Sequence, residues 1–329
     1  MTASTITGVG VAVPESELLN ADLATRLGLS EEWIESRTGI RSRRIAASGD
    51  TAASLGTQAA VNALTDAGTS PVDVDLIICA TVSSQWLFPA TACAIQTALG
   101  SDAAAFDLNA GCSGFLYALA QADASVRAGS AKRVVVIGSE VLSRITDYDD
   151  PKTAVLFGDG AGAVVVERSE GFAPLGPFRL FSDGSRPELL YAPGDSRLIH
   201  MKGREVYRAA VDAMARSVTD LLATAGMGPA DVDLLVAHQA NQRILDAVVA
   251  RVGLDPSRAY SNIARYGNTS AASIPIALFE ARLEERLKEG DCVVLTAFGA
   301  GFTWGAGLVR WGAPLSGERA GAALEASHV

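Results

Sequence analysis

Cys112 is the residue of this sequence whose surroundings best suit covalent chemistry. It lies in Asn109-Ala-Gly-Cys-Ser-Gly114, where small residues give way to a helix-forming stretch, so we expect the thiol at a helix N-terminus. Unpaired N–H groups and the helix dipole favour the thiolate there, which lowers the pKa of the thiol and makes it a better nucleophile. A free cysteine is otherwise a small buried apolar residue, the role we expect for Cys79, Cys93 and Cys292.

His238 is the second candidate for chemistry. It ends an apolar run and precedes Gln239-Ala-Asn-Gln-Arg243, so the imidazole emerges where a strand ends and a helix begins. Ligands of α/β sheets are bound at such strand ends. The alternatives are His200, in a polar loop, and His328, near the chain end. A lone histidine is often structural, so the choice of His238 depends on the internal repeat described below.

Two loops add polar groups of the kind that active sites use. Asn268 lies in a stretch of small polar residues, 266–275, that leads into a helix, where it is equally consistent with a turn or cap residue. The glycine-rich turn Phe298-Gly-Ala-Gly-Phe-Thr-Trp-Gly305 follows an apolar run. Its backbone N–H groups are suited to an oxyanion hole.

An internal repeat indicates which elements position these residues. Residues 64–76 match residues 222–234 without a gap, at an offset of 158 residues. In each copy an alanine-rich amphipathic stretch ends at a glycine, Gly68 or Gly226, and a turn leads to an apolar run. His238 corresponds to Ala80 of the first copy. The strand itself therefore does not require an imidazole.

A second correspondence follows in the same order, between residues 127–137 and 288–295. Its apolar runs have no polar face, as expected for strands covered by helices on both sides. We predict an α/β fold of two βαβ-rich halves, residues 1–170 and 171–315, packed as layers of helices and sheets. Residues 316–329 are alanine-, glycine- and serine-rich, and we predict a flexible tail there.

Composition restricts the possible functions. Hydrophobic residues make up 49% and charged residues 19%, which is typical of a globular protein. The net charge of −10 argues against general nucleic-acid binding. The chain has no basic-then-apolar leader and no long apolar run, so we expect a cytoplasmic protein that does not enter membranes. The four cysteines lack CxxC spacing, so neither a zinc site nor a disulfide framework is expected.

From about Ile6 to Trp311 the chain resembles the β-ketoacyl-(acyl carrier protein) synthase III family of the thiolase superfamily. The family's motifs occur in order as Glu32-Trp-Ile-Glu-Ser-Arg-Thr-Gly-Ile-Arg41, Ala110-Gly-Cys-Ser-Gly-Phe115, Phe157-Gly-Asp-Gly-Ala-Gly162, His238-Gln-Ala-Asn241, Gly267-Asn-Thr-Ser-Ala-Ala272 and Phe298-Gly-Ala-Gly-Phe-Thr-Trp-Gly305. The resemblance implies a thiolase fold with five layers in the order α-β-α-β-α.

The resemblance also implies a catalytic triad of Cys112, His238 and Asn268. In this family the cysteine takes an acyl group from a coenzyme A thioester, and malonyl-acyl carrier protein then loses carbon dioxide and attacks the acyl-enzyme. His238 and Asn268 would donate hydrogen bonds to the malonyl thioester oxygen, while the N–H groups of Cys112 and Ala300 would stabilise the tetrahedral oxyanion. Acyl-CoA is a substrate here, and no metal or other cofactor is implied.

By the same resemblance, three residues bind coenzyme A. Trp33 would stack on the adenine and Arg37 would contact it beside that ring. Lys152 stands where the family has an arginine, which removes planar stacking and forked pairing.

Further positions of the family concern protein partners. Phe88 matches the residue that crosses the dimer interface and closes the partner's acyl pocket, so a homodimer is expected. Arg208, Arg243 and Arg251 match the basic face that docks the acidic carrier protein. Any of these arginines is equally consistent with a solvated helix face.

Two other functions stay open at the level of sequence. A related enzyme that transfers the acyl group to an alcohol or amine would keep Cys112 and His238, although Asn268 favours condensation. A non-catalytic partner subunit would lack the nucleophile, which this chain retains. The primer acyl group, and the choice between fatty-acid initiation and a specialised polyketide pathway, do not follow from the sequence.

Overall fold

The computed structural model of the protein describes residues 3–169 and 175–312. Its strands are β1 Ala3–Ala12, β2 Glu17–Leu19, β3 Ser42–Arg44, β4 Leu76–Ala80, β5 Ala104–Leu108, β6 Arg133–Glu140, β7 Gly160–Ser169, β8 Leu175–Ser182, β9 Leu190–Tyr191, β10 His200–Met201, β11 Leu234–Ala237, β12 Ala259–Tyr260, β13 Cys292–Gly299 and β14 Thr303–Arg310. Its α-helices are α1 Asn20–Leu27, α2 Glu31–Thr38, α3 Ala52–Ala67, α4 Thr91–Leu99, α5 Gly114–Ala128, α6 Gly203–Thr224, α7 Gln242–Val252, α8 Ile263–Tyr266 and α9 Ser273–Leu283. The predicted boundary between residues 170 and 171 and the predicted tail, 316–329, lie outside the described residues.

Two five-stranded sheets share one topology. The first has the order β1-β7-β6-β4-β5, and the second, read in the corresponding direction, has the order β8-β14-β13-β11-β12. In the first sheet β5, β4 and β6 are parallel, while β7 is antiparallel to both β6 and β1. The second sheet repeats these directions strand for strand. The sequence repeat is thus also a repeat of structure.

The helices form three layers around the two sheets. Helices α5 and α9 lie between the sheets and contact strands of both. Helices α3 and α4 cover the outer face of the first sheet, and α6, with α7 packed beside it, covers the outer face of the second. The layer order α-β-α-β-α expected from the resemblance is confirmed.

Strands β4 and β11 show why their sequences are apolar throughout. In β4, Ile77 packs with the outer helices and Ile78 packs with the central layer, and both are fully buried. In β11, Leu235 packs with the outer helices and Val236 packs with the central layer. Each such side chain contributes about 1.5–3 kcal/mol through burial, so neither face of these sheets tolerates a polar row.

The glycine helix ends predicted by the repeat are present. Gly68 ends α3 with φ of 66°, and Gly226, with φ of 68°, follows the end of α6. Left-handed backbone of this kind suits glycine because other residues are strained there. Within residues 3–169 and 175–312, no helix is long and apolar enough to cross a membrane.

Candidate active site

The three predicted catalytic side chains line one cavity of about 1270 Å³. Cys112 lies in the loop between β5 and α5, and Asn268 lies in the corresponding loop of the second sheet, before α9. His238 directly follows β11. Ala300, in the turn between β13 and β14, lines the same cavity. Residues far apart in sequence therefore meet at strand ends of both sheets.

Very close backbone packing brings the Cys112 loop against the β13–β14 turn. A Cβ atom on Gly299 would lie 2.5 Å from the Cys112 nitrogen, and one on Gly111 would lie 2.7 Å from the Ala300 nitrogen. Gly111 also has φ of 55°, in the left-handed region. These glycines place the Cys112 and Ala300 N–H groups at one wall of the cavity, as a two-donor oxyanion hole requires.

The Cys112 thiol is not activated in the resting site. Burial, with a smaller contribution from the negative charge of Glu140, raises its pKa to about 11, although Ser270 and the backbone N–H of Cys112 lower it. The residue precedes α5 by two positions and lines the cavity. Our expectation of a lowered pKa is therefore wrong for this state, because burial outweighs the helix terminus. The thiol is protonated near neutral pH.

His238 is neutral and presents a donor to the cavity. Burial lowers its pKa to about 4. Its Nδ1 lies 2.7 Å from Ser273 Oγ, which also accepts the Gln239 N–H at 3.3 Å. Among the described residues the Ser273 hydroxyl hydrogen has no other acceptor, so we assign its donation to Nδ1. This assigns the ring proton to Nε2, which has no other partner among the described residues.

Asn268 presents a second donor. Its Oδ1 accepts a hydrogen bond from the Ser270 N–H at 2.8 Å, which fixes the amide so that Nδ2 is left for a ligand. The backbone is held as well, since the Asn268 N–H donates to Leu156 O at 2.8 Å and the Gly158 N–H donates to Asn268 O at 3.0 Å. Together, His238 and Asn268 leave two N–H donors in the lining of one cavity, and donors of this kind stabilise an oxygen that gains negative charge.

Glu140 is a buried carboxyl group near the site that sequence reasoning missed. It ends β6, is fully buried, and accepts hydrogen bonds from Ser83 Oγ at 2.6 Å, Val82 N at 3.1 Å and Thr81 Oγ1 at 3.3 Å. Burial raises its pKa from the ordinary value of 4.5 to about 7. The repeat contained a signal, because the residue that ends the corresponding strand β13 is Gly299.

The mouth of the cavity is positively charged, although the whole chain has a net charge of −10. Five cations line it: Arg37, Lys152, Arg204, Arg208 and Arg243. Among the described residues, no carboxylate forms an ion pair with any of them. Trp33 lines the same mouth with 40% of its surface exposed, and the Arg37 guanidinium lies 5.9 Å from its ring centroid. Sequence reasoning missed Arg204.

Two predicted site residues lie away from this cavity. Arg251 pairs with Asp212 and does not line the mouth. Phe88 is 85% exposed and projects from the surface of its own chain. Cys93 is also exposed, contrary to our expectation of burial, because it faces outward from α4. In the part of the chain that the structure describes, no cluster of histidine, cysteine and carboxylate side chains is suited to a metal ion.

Much of the cavity lining is apolar. Its aliphatic and aromatic side chains include Val82, Leu142, Ile145, Leu156, Phe157, Leu190, Ile199 and Met201. Tyr191, Ala192, Ile199 and Met201 contribute to this lining, whereas Trp86 and Leu87 are exposed and do not line the cavity. The cavity that holds Cys112 therefore offers a hydrocarbon surface to an acyl chain.

Models of one protein family match two segments of the chain. The model described as 3-oxoacyl-[acyl-carrier-protein (ACP)] synthase III matches residues 106–184, and the model of its C-terminal part matches residues 222–311. The first segment contains Cys112, and the second contains both His238 and Asn268.

Similar proteins align over nearly the whole chain. The β-ketoacyl-[acyl-carrier-protein] synthase III of Aquifex aeolicus is 48% identical over 93% of this chain and 99% of its own length. The crystal structure of that organism's 3-oxoacyl-[acyl-carrier-protein] synthase III matches with a TM-score of 0.92, at 47% identity, over 94% of this chain and 100% of the other. The priming β-ketosynthase of a polyketide biosynthetic pathway matches with a TM-score of 0.91, at 34% identity, over 95% of this chain and 97% of the other.

Proposed function

The chain belongs to the 3-oxoacyl-[acyl-carrier-protein] synthase III family, and from this premise we propose how its residues carry out the reaction. It is an acyltransferase, and its reaction is the decarboxylative condensation of an acyl-CoA primer with malonyl-acyl carrier protein, which initiates fatty-acid synthesis. The observation that carries the mechanism is the pair of neutral donors, His238 Nε2 and Asn268 Nδ2, which line the same cavity as the Cys112 thiol.

In the first half-reaction, Cys112 Sγ attacks the thioester carbonyl of the primer. The carbonyl oxygen becomes an oxyanion in the tetrahedral intermediate, and the Cys112 and Ala300 N–H groups stabilise it. Collapse of the intermediate expels the coenzyme A thiolate and leaves an acyl-cysteine. The apolar lining beyond Cys112 supports a hydrocarbon primer, because a charged or strongly polar group would lose its hydration there without a partner.

In the second half-reaction, the malonyl thioester loses carbon dioxide. Its carbonyl oxygen gains the charge of an enolate, and His238 and Asn268 donate to that oxygen. A neutral histidine is suited to this task because its Nε2–H donates a hydrogen bond without placing a charge on a buried ring. The carbanion carbon then attacks the acyl-cysteine and releases Cys112. The second donor, Asn268, favours condensation over transfer to an alcohol or amine.

The charged mouth supports the proposed substrates. Trp33 offers a face for the adenine, and the unpaired cations Arg37 and Lys152 are available for the phosphates of coenzyme A. Arg208 and Arg243 would attract the acidic carrier protein. Arg251 remains a predicted docking residue, although its pairing with Asp212 makes it less available. A cytoplasmic location and the absence of any further cofactor complete the proposal.

Exposed apolar residues support a homodimer. Strand β5 is an edge of the first sheet, and its Phe106 is 40% exposed. Leu87 and Phe88, at 94% and 85% exposure, precede α4, which packs beside β5. An unpaired edge with apolar neighbours is a natural surface for a second copy. In that arrangement Phe88 would close the acyl cavity of the partner.

A polyketide-priming role is the second candidate. The observation that favours it is the likeness to a priming β-ketosynthase at 34% identity. The chemistry of the site is the same in both roles, so the two differ only in the primer and in the carrier protein that is used.

Intact-protein mass spectrometry tests the proposed nucleophile. After mixing with acetyl-CoA and longer acyl-CoAs, the wild-type chain should gain one acyl group that Cys112→Ala abolishes. Cys93→Ala is the matched control, because it removes an exposed thiol outside the cavity, and it should acylate normally. A wild-type chain that stays unmodified with every acyl-CoA would instead support a non-catalytic partner subunit.

A further inference from the structure

The proton of the Cys112 thiol needs an acceptor, and His238 is unsuited to that task. The nitrogen of His238 that faces the cavity carries hydrogen, and its Nδ1 is occupied by Ser273. A thiol reacts as its thiolate, yet the thiol of Cys112 is protonated near neutral pH in the resting site. Some other group must therefore take the proton when the sulfur attacks.

Glu140 is the carboxyl group positioned for this task. Hydrogen bonds from Ser83 Oγ and Val82 N hold its carboxylate in place. Strand β6, which it ends, packs against the short turn Ser270–Ala272 at the start of α9. The charge of Glu140 acts on the Cys112 thiol and also on the buried Cys79 thiol.

Ser270 connects the carboxyl group to the thiol. Its Oγ is buried and has no hydrogen-bond partner of regular geometry in the resting site, yet it lowers the pKa of both Cys112 and Glu140. Its backbone has φ of 48°, a left-handed conformation in a residue that is not glycine. Such a conformation costs about 1–3 kcal/mol and persists at sites where the surrounding structure enforces it. The strained turn holds a buried, unpartnered hydroxyl in the wall of the cavity that contains Cys112, beside the strand that Glu140 ends.

We propose that Glu140 accepts the Cys112 proton through the Ser270 hydroxyl during acylation. The proposal rests on Cys112 being the nucleophile of the proposed function. As Sγ bonds to the thioester carbon, its hydrogen passes to Ser270 Oγ, and the hydroxyl hydrogen of Ser270 passes to the Glu140 carboxylate. Charge is conserved within the site, because one carboxylate becomes neutral as the attacking sulfur delivers its electron pair to the carbonyl.

The remaining steps balance in the same way. The expelled coenzyme A thiolate takes a proton from water, and Glu140 stays protonated in the acyl-enzyme. After the malonyl carbanion has attacked, Cys112 leaves as a thiolate and recovers its proton from Glu140 through Ser270. A buried carboxyl group suits this role, because burial favours its neutral form. Its protonated and ionised forms are then similarly populated near neutral pH.

The proposal makes an unusual prediction about the sign of a mutational effect. If Glu140 acted on Cys112 only through its negative charge, Glu140→Gln would lower the pKa of the thiol and speed its acylation. If Glu140 is the proton acceptor, the same substitution slows acylation. The two roles therefore give opposite results in one variant.

The experiment measures the rate of Cys112 acylation by acetyl-CoA between pH 5.5 and 9.5, by quenched flow and mass spectrometry. The wild-type rate should rise with pH and level off near pH 7, where Glu140 ionises. In Glu140→Gln we expect a rate about 100-fold lower at pH 7.5, toward the lower end of general-base effects, and no levelling near pH 7. Decarboxylation of malonyl-carrier protein, which depends on His238 and Asn268, should change less than about twofold.

Ser270→Gly keeps the proposal testable if Glu140→Gln folds poorly. Glycine adopts the left-handed backbone without strain and keeps the N–H that holds Asn268, so only the hydroxyl is lost. It should slow acylation as Glu140→Gln does, and the double variant should be no slower than either single one. The matched control is Glu167→Gln, which removes a carboxylate that pairs with Arg133 away from the cavity and should have wild-type rates.

The outcomes separate this inference from the proposed function. Acylation of Glu140→Gln at the wild-type rate or faster, or with the levelling near pH 7 retained, overturns the inference while the nucleophile stands. Wild-type protein that takes no acyl group on Cys112 overturns the proposed function and the inference with it. Slow acylation in both variants with decarboxylation retained supports the proton path.

Discussion

At the scale of residues, the site depends on serines that orient the catalytic groups. Ser273 holds the tautomer of His238, and the Ser270 N–H holds the amide of Asn268. Without the first contact, the ring proton of His238 would divide between its two nitrogens. Nε2 of His238 would then carry hydrogen for only part of the time, and one of the two donors would be missing when it does not.

Ser273→Ala should therefore affect the second half-reaction selectively. We expect malonyl decarboxylation to fall about tenfold, since a lost hydrogen bond to a buried group costs about 1–3 kcal/mol, while acylation of Cys112 stays within about twofold. Separate assays of carbon dioxide release and of acyl-enzyme formation measure the two. Ser217→Ala, a buried serine on α6 outside the cavity, is the control for general destabilisation. Equal losses in both half-reactions would contradict this role.

Glu140 should also make stability depend on pH. Its folded pKa of about 7 lies above the ordinary 4.5, so the folded state holds the proton more tightly and stability falls as pH rises from about 4.5 to 7. Glu140→Gln removes this loss. The free energy of unfolding of the variant, relative to that of wild type, should rise by up to about 3 kcal/mol between pH 5 and pH 8. This follows from about 1.36 kcal/mol per unit of pKa difference. Urea unfolding at both pH values measures it, and a constant difference would refute the raised pKa.

The small residues before a helix indicated Cys112, and the repeat selected His238, whereas the resemblance gave Asn268 its catalytic role. The sequence did not lead to Glu140, although the comparison of repeat copies that selected His238 over Ala80 sets Glu140 against Gly299. The pKa of Cys112 was beyond sequence reasoning, because burial depends on how the two sheets close over the loop. Arg204 was missed because one exposed arginine on a helix has no distinguishing pattern.

At the scale of elements, the nucleophile loop and the β13–β14 turn position each other through backbone contact. Gly299→Ala would set a Cβ atom 2.5 Å from the Cys112 nitrogen and 2.9 Å from the Ser113 nitrogen. The loop must shift, and the oxyanion donors then lose the placement that catalysis needs, since misplacement by about 1 Å can cost 100-fold.

We therefore expect Gly299→Ala to lower the acylation rate at least tenfold while circular dichroism stays unchanged. Gly184→Ala is the matched control, because a Cβ atom there meets nothing within 4 Å. Wild-type acylation in Gly299→Ala would show that the contact does not position the donors.

The order of elements was largely predictable, since apolar runs and glycine helix ends recur at a fixed offset. The resemblance supplied the layer order, which periodicity alone did not. The division of the chain near residue 170 remains our proposal, and it agrees with the ranges of the two sheets, 3–169 and 175–310. The exposure of Cys93 was not predictable, because an apolar run on a helix at a sheet edge faces both the core and a surface left open for a partner.

At the scale of the whole molecule, we propose that a second copy completes the acyl cavity. Phe106→Lys would place a charge on the exposed edge strand β5, where edge pairing would bury it. Sedimentation should show a shift from dimer toward monomer, and primer turnover should fall as Phe88 of the partner leaves the cavity. Val72→Lys, on a residue that is 72% exposed in a short turn, should have no effect. A dimeric Phe106→Lys variant with full activity would place the interface elsewhere.

The central claim is that an acyl group on Cys112 is consumed by decarboxylative condensation. The most direct test is a single turnover of isolated acyl-enzyme with malonyl-carrier protein labelled in its free carboxyl group. We predict one carbon dioxide released for each 3-oxoacyl-carrier protein formed, with loss of the acyl group from Cys112 at the same rate. Departure of the acyl group to another acceptor without carbon dioxide release would contradict the account.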